Sequence, residues 1–354
     1  SGSFNFTNNV ISPFITLAPN VANVANTGDY TLTVVRSSYD TVANNHNQAA
    51  VAGLSSTSGL QGLVGVNNAT SAVAAIDNMT ASNARTLFDE VSPEPYGAYV
   101  VALQDQGNLF ERQVAHRMRD TSSGASGMGI WGNIYGQWGN GSQHSYRMGS
   151  KQSIKGGALG ADTGLGNLTL GAAFGYSEDD VHYRLGNSSG KDKSWQVGGY
   201  GAYTAGKLVA DVQVDYVHGK VDASKNVGVG SGFSLVDGQA SAHTSGHLFK
   251  AVGKVGYNFG SDTLVFKPFV GIDFTTGHID GFHEHGDMGA LALTVDQLDA
   301  KRTDALVGFD FTSNMGKLKP YADLVWRYRV NSDHDQITAF FDGIPSDAFS
   351  VRYR

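Results

Sequence analysis

No cysteine occurs among the 354 residues. That removes disulfide scaffolds, thiolate zinc sites, iron–sulfur ligation and a cysteine nucleophile. It leaves an oxidising compartment open, because bridges are not obligatory there. Charge is also scarce, at 16% of residues against about 25% in an average protein. A formal net charge of −7, with no basic cluster, argues against a nucleic-acid partner. No run of about 18 apolar residues exists, so no transmembrane helix is expected. An initiator Met and a basic-then-apolar signal segment are both missing. The chain therefore reads as an interior piece of a longer product.

Glycine is abundant instead, with 46 residues, nearly twice the usual share of about 7%. The character of the chain changes near Ser122, across the flexible stretch Thr121-Ser122-Ser123-Gly124-Ala125-Ser126-Gly127. Before it, short β-like pieces (Phe4-Asn5-Phe6 and Tyr30 to Arg36) give way to helical segments. Gln48 to Leu54 is a short helix, and Ala69 to Met79 carries Val73, Ile76 and Met79 on one face. Thr80 caps a helix over Ala81 to Val91, ended by Ser92-Pro93. Pro95 to Arg119 reads as one helix with a broken apolar stripe of Val100, Leu103, Leu109, Phe110, Val114 and Met118. At 1.5 Å per residue it is roughly 36 Å long, longer than a membrane core of about 30 Å. Its polar remainder demands a wet, polar surround.

After Ser122 the chain alternates. Leu208, Ala210, Val212, Val214 and Tyr216 interleave with Asp211, Gln213 and Asp215. Leu264, Phe266, Val270, Ile272 and Phe274 oppose Lys267 and Asp273, and Ala322, Leu324, Trp326 and Tyr328 oppose Asp323, Arg327 and Arg329. Successive strand side chains point to opposite faces, so each segment has one greasy and one charged or small face. A soluble sandwich shares this pattern. Three features favour a transmembrane barrel: segments of twelve or more residues, aromatic residues such as Trp138, Tyr176, Tyr203, Tyr216, Tyr257, Phe259 and Trp326 near segment ends, and tight connections alternating with long polar ones. Nine strands are expected, over 129–140, 152–164, 167–184, 193–204, 207–220, 243–259, 262–280, 290–312 and 317–330. A charge facing lipid at midplane costs about 2–4 kcal/mol. Asp211, Asp215, Lys250, Lys254, Lys267, Asp273, Asp310, Lys319, Asp323, Arg327 and Arg329 are therefore expected to line a lumen. Asp105, Glu111, Arg112, Arg117 and Arg119 of the long helix are the expected partners of that wall.

The order of several motifs resembles the C-terminal translocator of single-chain type V autotransporters. Asn47-Gln48-Ala49-Ala50-Val51-Ala52 looks like the Asn-Gln-x-x-Val-Ala of that family, and Met79 to Ser92 resembles its helical linker. Gly129-Ile130-Trp131-Gly132-Asn133-Ile134-Tyr135-Gly136-Gln137-Trp138-Gly139 resembles its first barrel strand, and Leu318-Lys319-Pro320-Tyr321-Ala322 with Leu324-Val325-Trp326-Arg327 a late one. The resemblance implies an all-β outer-membrane barrel of twelve strands with a luminal helix. It implies a passenger end at 1–45 with β-helix-like rungs, a linker at 46–92, the luminal helix at 93–122 and barrel at 123–354. About three strands are then missing, and Ser350 to Arg354 resembles the loop before strand ten, so a C-terminally truncated fragment is expected. The implied function is delivery and anchoring of an N-terminal passenger at the surface of a Gram-negative cell. Its partners would be outer-membrane lipid, the barrel-assembly machinery and its own passenger, with the protein a monomer and no cofactor involved. A porin-like channel and, less well supported, a soluble β-rich adhesin are the competing readings.

Other constellations carry less. His283-Glu284-His285 offers strand-type metal spacing without a third ligand. The Gly-x-Gly pairs lack a strand–turn–helix context. Asn44-Asn45 could cleave itself, although a turn accounts for it. Ser145, Ser153, Ser194 and His247 lack a nucleophile elbow, so no enzyme is expected within the chain.

Overall fold

The computed structural model describes residues 9–20, 31–53, 58–121, 127–141, 149–183, 188–228, 237–261, 263–315, 320–331 and 335–353. The expected Phe4-Asn5-Phe6 strand, the Ser122–Ser126 boundary, Ser145 and Lys319 lie outside these residues. The chain begins with β1 (Ile15–Asn20) and β2 (Thr31–Arg36). Five helices follow: α1 (His46–Ala52), α2 (Gly59–Gly62), α3 (Thr70–Asp77), α4 (Ala81–Glu90) and α5 (Gly97–Thr121). Long strands come next: β3 (Gly127–Gly141), β4 (Ser150–Leu165), β5 (Leu168–Tyr183), β6 (Ser189–Ala205), β7 (Leu208–Val227) and β8 (Gly238–Tyr257). The remainder comprises β9 (Phe259–Ser261), β10 (Leu264–Ile279), β11 (Phe282–His283), β12 (His285–Gly286), β13 (Leu293–Val295), β14 (Leu298–Ser313), β15 (Tyr321–Arg329), β16 (Gln336–Phe341) and β17 (Phe349–Arg352).

Nine long strands make one antiparallel sheet in the order β15-β14-β10-β8-β7-β6-β5-β4-β3. The sheet curls around α5. Two-residue connections at Gly166-Asn167 and Gly206-Lys207 close one end, with Gly166 at φ 65° and Gly206 at φ 63°. Such positive φ values match the twist of a tight hairpin and favour glycine. The sheet is polar inside and apolar outside. Ile134 is 94% exposed on the outer face, while Asp215 is 1% exposed on the inner one. In water this arrangement would be inverted; in lipid it satisfies both faces.

The other end of the sheet is roofed. Helices α1 to α4 share one apolar core with a second, four-stranded sheet of order β11-β13-β16-β17. Leu60, Ile76 and Phe88 on the helices, Leu63 and Met79 just beyond the ends of α2 and α3, and Leu293, Ile337, Phe341 and Val351 on the strands are all within that core. Thr80 caps α4 by accepting from the Asn83 amide at 3.2 Å, and Asn45 caps α1 through Gln48 at 2.8 Å.

The structure corrects several expectations. Residues 290–297 do not open the eighth long strand. They form a tight helical turn and β13, because the apolar run Ala290 to Leu293 is buried in the roof. Ser350 to Arg352 is not irregular: it belongs to β17, a short strand paired with β16. The N-terminal strands are not β-helix-like rungs: β1 and β2 pair antiparallel as a hairpin, from Ile15↔Arg36 to Asn20↔Thr31. Helices α1 to α4, within the segment 46–92, are packed into the roof. Asn44-Asn45 starts α1, with the Asn45 side chain occupied as its cap. His283 and Glu284 diverge by strand alternation. His283 meets Asp342 at 2.7 Å, while Glu284 turns inward to a buried ion pair with Lys225 at 2.5 Å.

Candidate functional site

The concave face of the sheet, filled by α5, holds the densest polar chemistry of the described residues. Small residues on the wall make room for large ones on the helix. A β-carbon at Gly175 would lie 2.6 Å from the Phe110 ring, at Gly219 2.7 Å from Leu103 and at Gly190 1.8 Å from the Tyr99 hydroxyl. Real β-carbons do not approach so closely, so these wall glycines are sockets for helix side chains.

Around these sockets the helix is held by charges. Glu111, 1% exposed, lies 3.4 Å from Lys250 of β8, 3.2 Å from Lys254 and 3.3 Å from Arg327 of β15. Lys250 also reaches Asp273 of β10 at 2.6 Å and the Asn108 side chain at 2.9 Å. Arg327 in turn contacts Asp273. One helix carboxylate thus gathers cations from two strands, with Asp273 balancing the excess. A buried carboxylate is strongly disfavoured alone, and matched partners at this range offset its desolvation.

A second contact lies nearer the helix C-terminus. Arg117 grips Asp162 of β4 with two nitrogens, at 2.6 and 2.8 Å. Tyr200 of β6 donates to the same carboxylate at 2.9 Å and accepts from the Trp131 indole at 2.7 Å. Arg119 meets Asp310 of β14 at 3.1 Å. Asp310 also binds Lys267 at 3.1 Å, and Lys267 reaches Asp211 at 3.3 Å. Asp323 lies 3.9 Å from both Arg119 and His116.

A cluster of amide, hydroxyl and carboxyl groups sits higher on the helix. Gln106 donates to Asp192 at 2.8 Å and accepts from the hydroxyls of Ser177, at 2.6 Å, and Ser194. Gln196 donates to both serines, at 2.8 and 2.6 Å.

Most residues singled out from the sequence therefore meet on this face. Asp215 is buried there and accepts from Gln213 at 2.8 Å. Arg329 lies 3.4 Å from Asp335, and Asp105 is half-buried on the helix. Arg112 departs from the expected pairing: it is exposed and makes no ion pair with any described residue. Asp162, Asp192 and Gln106 were not foreseen. For Asp162 the signal is present, since it is in phase with Ala158 and Gly160 on β4, but the small residues hide which face is inward; Asp192 lies before the strand expected at 193–204, whereas β6 begins at Ser189.

The roof ties the N-terminal hairpin to this assembly. Asp77, at the end of α3, accepts from Arg36 Nε at 3.1 Å and from the Tyr39 hydroxyl at 2.8 Å. The hydrogen bond to Asp77 raises the Arg36 pKa, and burial, then Asp77, raises that of Tyr39. Asn47 donates to Glu94 at 2.8 Å and exchanges two hydrogen bonds with the Arg352 backbone, at 2.7 and 2.9 Å. Gln48 donates to both oxygens of Asp89 at 3.0 Å. Burial still pushes the Asp89 carboxyl up. Glu90 is also raised by burial, although it accepts from the Gly228 amide.

Comparison with known proteins places this geometry in context. The family profile described as the autotransporter β-domain matches residues 130–354. An extracellular serine protease of Serratia marcescens is 28% identical over 207 residues, which is 58% of this chain and 19% of that protein's length. The translocator domain of the autotransporter NalP from Neisseria meningitidis superimposes with a TM-score of 0.52 at 16% identity, covering 68% of this chain and 85% of that one. That likeness shows the fold.

Proposed function

Since the chain belongs to the autotransporter β-domain family, an outer-membrane translocator family of Gram-negative bacteria, we propose that it carries an N-terminal passenger across the outer membrane and tethers it at the cell surface. The β-domain is not itself catalytic. The protease named in the Serratia relative is a property of that protein. The observation that carries the proposal is α5, which runs along the concave face from the roofed end to the tight-turn end and leads into β3. A chain so threaded puts everything before α5 on the side of the long loops, which is the outer side of a bacterial barrel. The ion pairs of Glu111, Arg117 and Arg119 are proposed to hold the helix in the lumen. On this reading residues 1–45 are the passenger's end, 46–92 a folded junction, 93–122 the luminal helix and 123–354 barrel. Outer-membrane lipid and the barrel-assembly machinery are the proposed partners, and the protein acts as a monomer.

An epitope placed ahead of Ile15 tests this. In intact cells producing the full-length protein, external protease should remove it. An epitope protected until the outer membrane is permeabilised would refute the proposal.

A further inference from the structure

The outer face of the sheet carries an ordered set of polar side chains at its long-loop end, unused in holding α5. The register sets Tyr176, Trp195, His218, His247 and His278 directly opposite one another across β5, β6, β7, β8 and β10. Trp195 and His218 rings lie 5.5 Å apart, and those of His247 and His278 4.2 Å. From this row toward the tight turns, the outward positions of β7 are Tyr216, Val214, Val212, Ala210 and Leu208. At about 3.4 Å per residue they cover about 27 Å of strand. A tilt of about 40° reduces that to about 20 Å, close to the lipid-facing band of about 25 Å. The row thus marks the lipid–water boundary on the outer side, where amphipathic rings belong.

One step above it, Lys193 of β6 and Lys220 of β7 stand directly opposite each other. Like charges so placed repel. Glu178, the other neighbour of Lys193, is engaged by Lys191 at 3.1 Å. Neither Lys193 nor Lys220 makes an ion pair with any described residue. On the same face, a groove of about 850 Å³ runs from Lys155 and Glu178 down past Tyr176 to Leu159, Phe174 and Ile134. Paired ammonium groups at headgroup level beside an apolar groove match an amphiphile with an anionic head.

We propose that Lys193 and Lys220, with Trp195 and His218 beneath them, bind the phosphate of a phosphorylated glycolipid of the outer leaflet, whose acyl chains follow the neighbouring groove. The assignment rests on the outer-membrane reading above. An anion between the lysines relieves a repulsion that Glu178, opposite Lys193 but bonded to Lys191, offsets on one side only.

The test uses purified full-length protein in phosphatidylcholine vesicles, with and without a phosphorylated glycolipid or its dephosphorylated form. The phosphorylated lipid should raise the melting temperature of the wild type by several degrees, and the dephosphorylated form should not. Lys193→Gln with Lys220→Gln should lose at least half of that rise, yet melt no lower than wild type in phosphatidylcholine alone. Equal rises in wild type and variant overturn the proposal. So does an equal rise from inorganic phosphate without the lipid, which would make the ligand a soluble anion. Protein that stays in the aqueous phase in every vesicle refutes the barrel reading, and the proposal with it.

Discussion

Glu111 shows what one residue does in this interior. Three cations converge on it within 3.4 Å, and its removal leaves Asp273 alone to balance Lys250 and Arg327 and takes away the ion-pair partner of Lys254. Losing one member of a buried ion pair costs about 3–5 kcal/mol, so Glu111→Ala should lower the melting temperature of the barrel clearly, as read by heat-modifiable gel migration. Arg117 and Arg112 separate a paired from an unpaired charge. Arg117→Glu sets a carboxylate against Asp162 and should destabilise, whereas Arg112→Glu, on an exposed position, should leave melting unchanged within error. Equal effects would show that net helix charge matters and not the pairing. Period-two alternation made the inward phase of Asp211, Asp273 and Arg327 legible in the sequence. Which helix residue meets which strand was not legible, because that depends on how the sheet curls. Arg112 was expected to pair because it is charged and luminal by position, but its side of the helix turns away from the described strands.

At the scale of elements, the roof turns sequence motifs into contacts. Asn47 and Gln48 stood out as a family resemblance alone. In the fold Asn47 extends the edge of β17 by bonding the Arg352 backbone, and Gln48 binds Asp89 across two helices. Thr80 was legible as a cap because its chemistry is local. The four-stranded sheet was not, because its strands are 2 to 6 residues long and come from loops far apart in sequence. The roof should also respond to pH. Burial raises the carboxyls of Asp89 and Glu90, so the folded roof holds their protons more tightly than the unfolded chain. This stabilisation is complete below their unfolded pKa values of about 4 and is lost as pH rises through the raised folded values. Hydrogen exchange in α4 should therefore quicken as pH climbs above about 4, after correction for the intrinsic rate. Asp89→Asn with Glu90→Gln should flatten that trend, and an unchanged slope in the double variant would contradict the assignment.

For the whole molecule, the decisive feature is the exchange of polarity, with charges inside and apolar side chains outside. It was the most legible property of the sequence, because lipid imposes it on every strand alike. Filling the lumen with α5 has an electrical consequence. In planar bilayers the intact protein should conduct little, and deletion of 97–121 should raise the conductance severalfold; equal conductance would mean that the helix does not obstruct the pore. The direction of α5 has a further, mechanical consequence. A pull on the N-terminal hairpin is transmitted first to the roof through Asp77 and then along the axis of a 25-residue helix. Its sockets and ion pairs are loaded in shear, all at once, and not peeled one after another. A molecule built this way resists extraction by force better than its equilibrium stability alone would suggest.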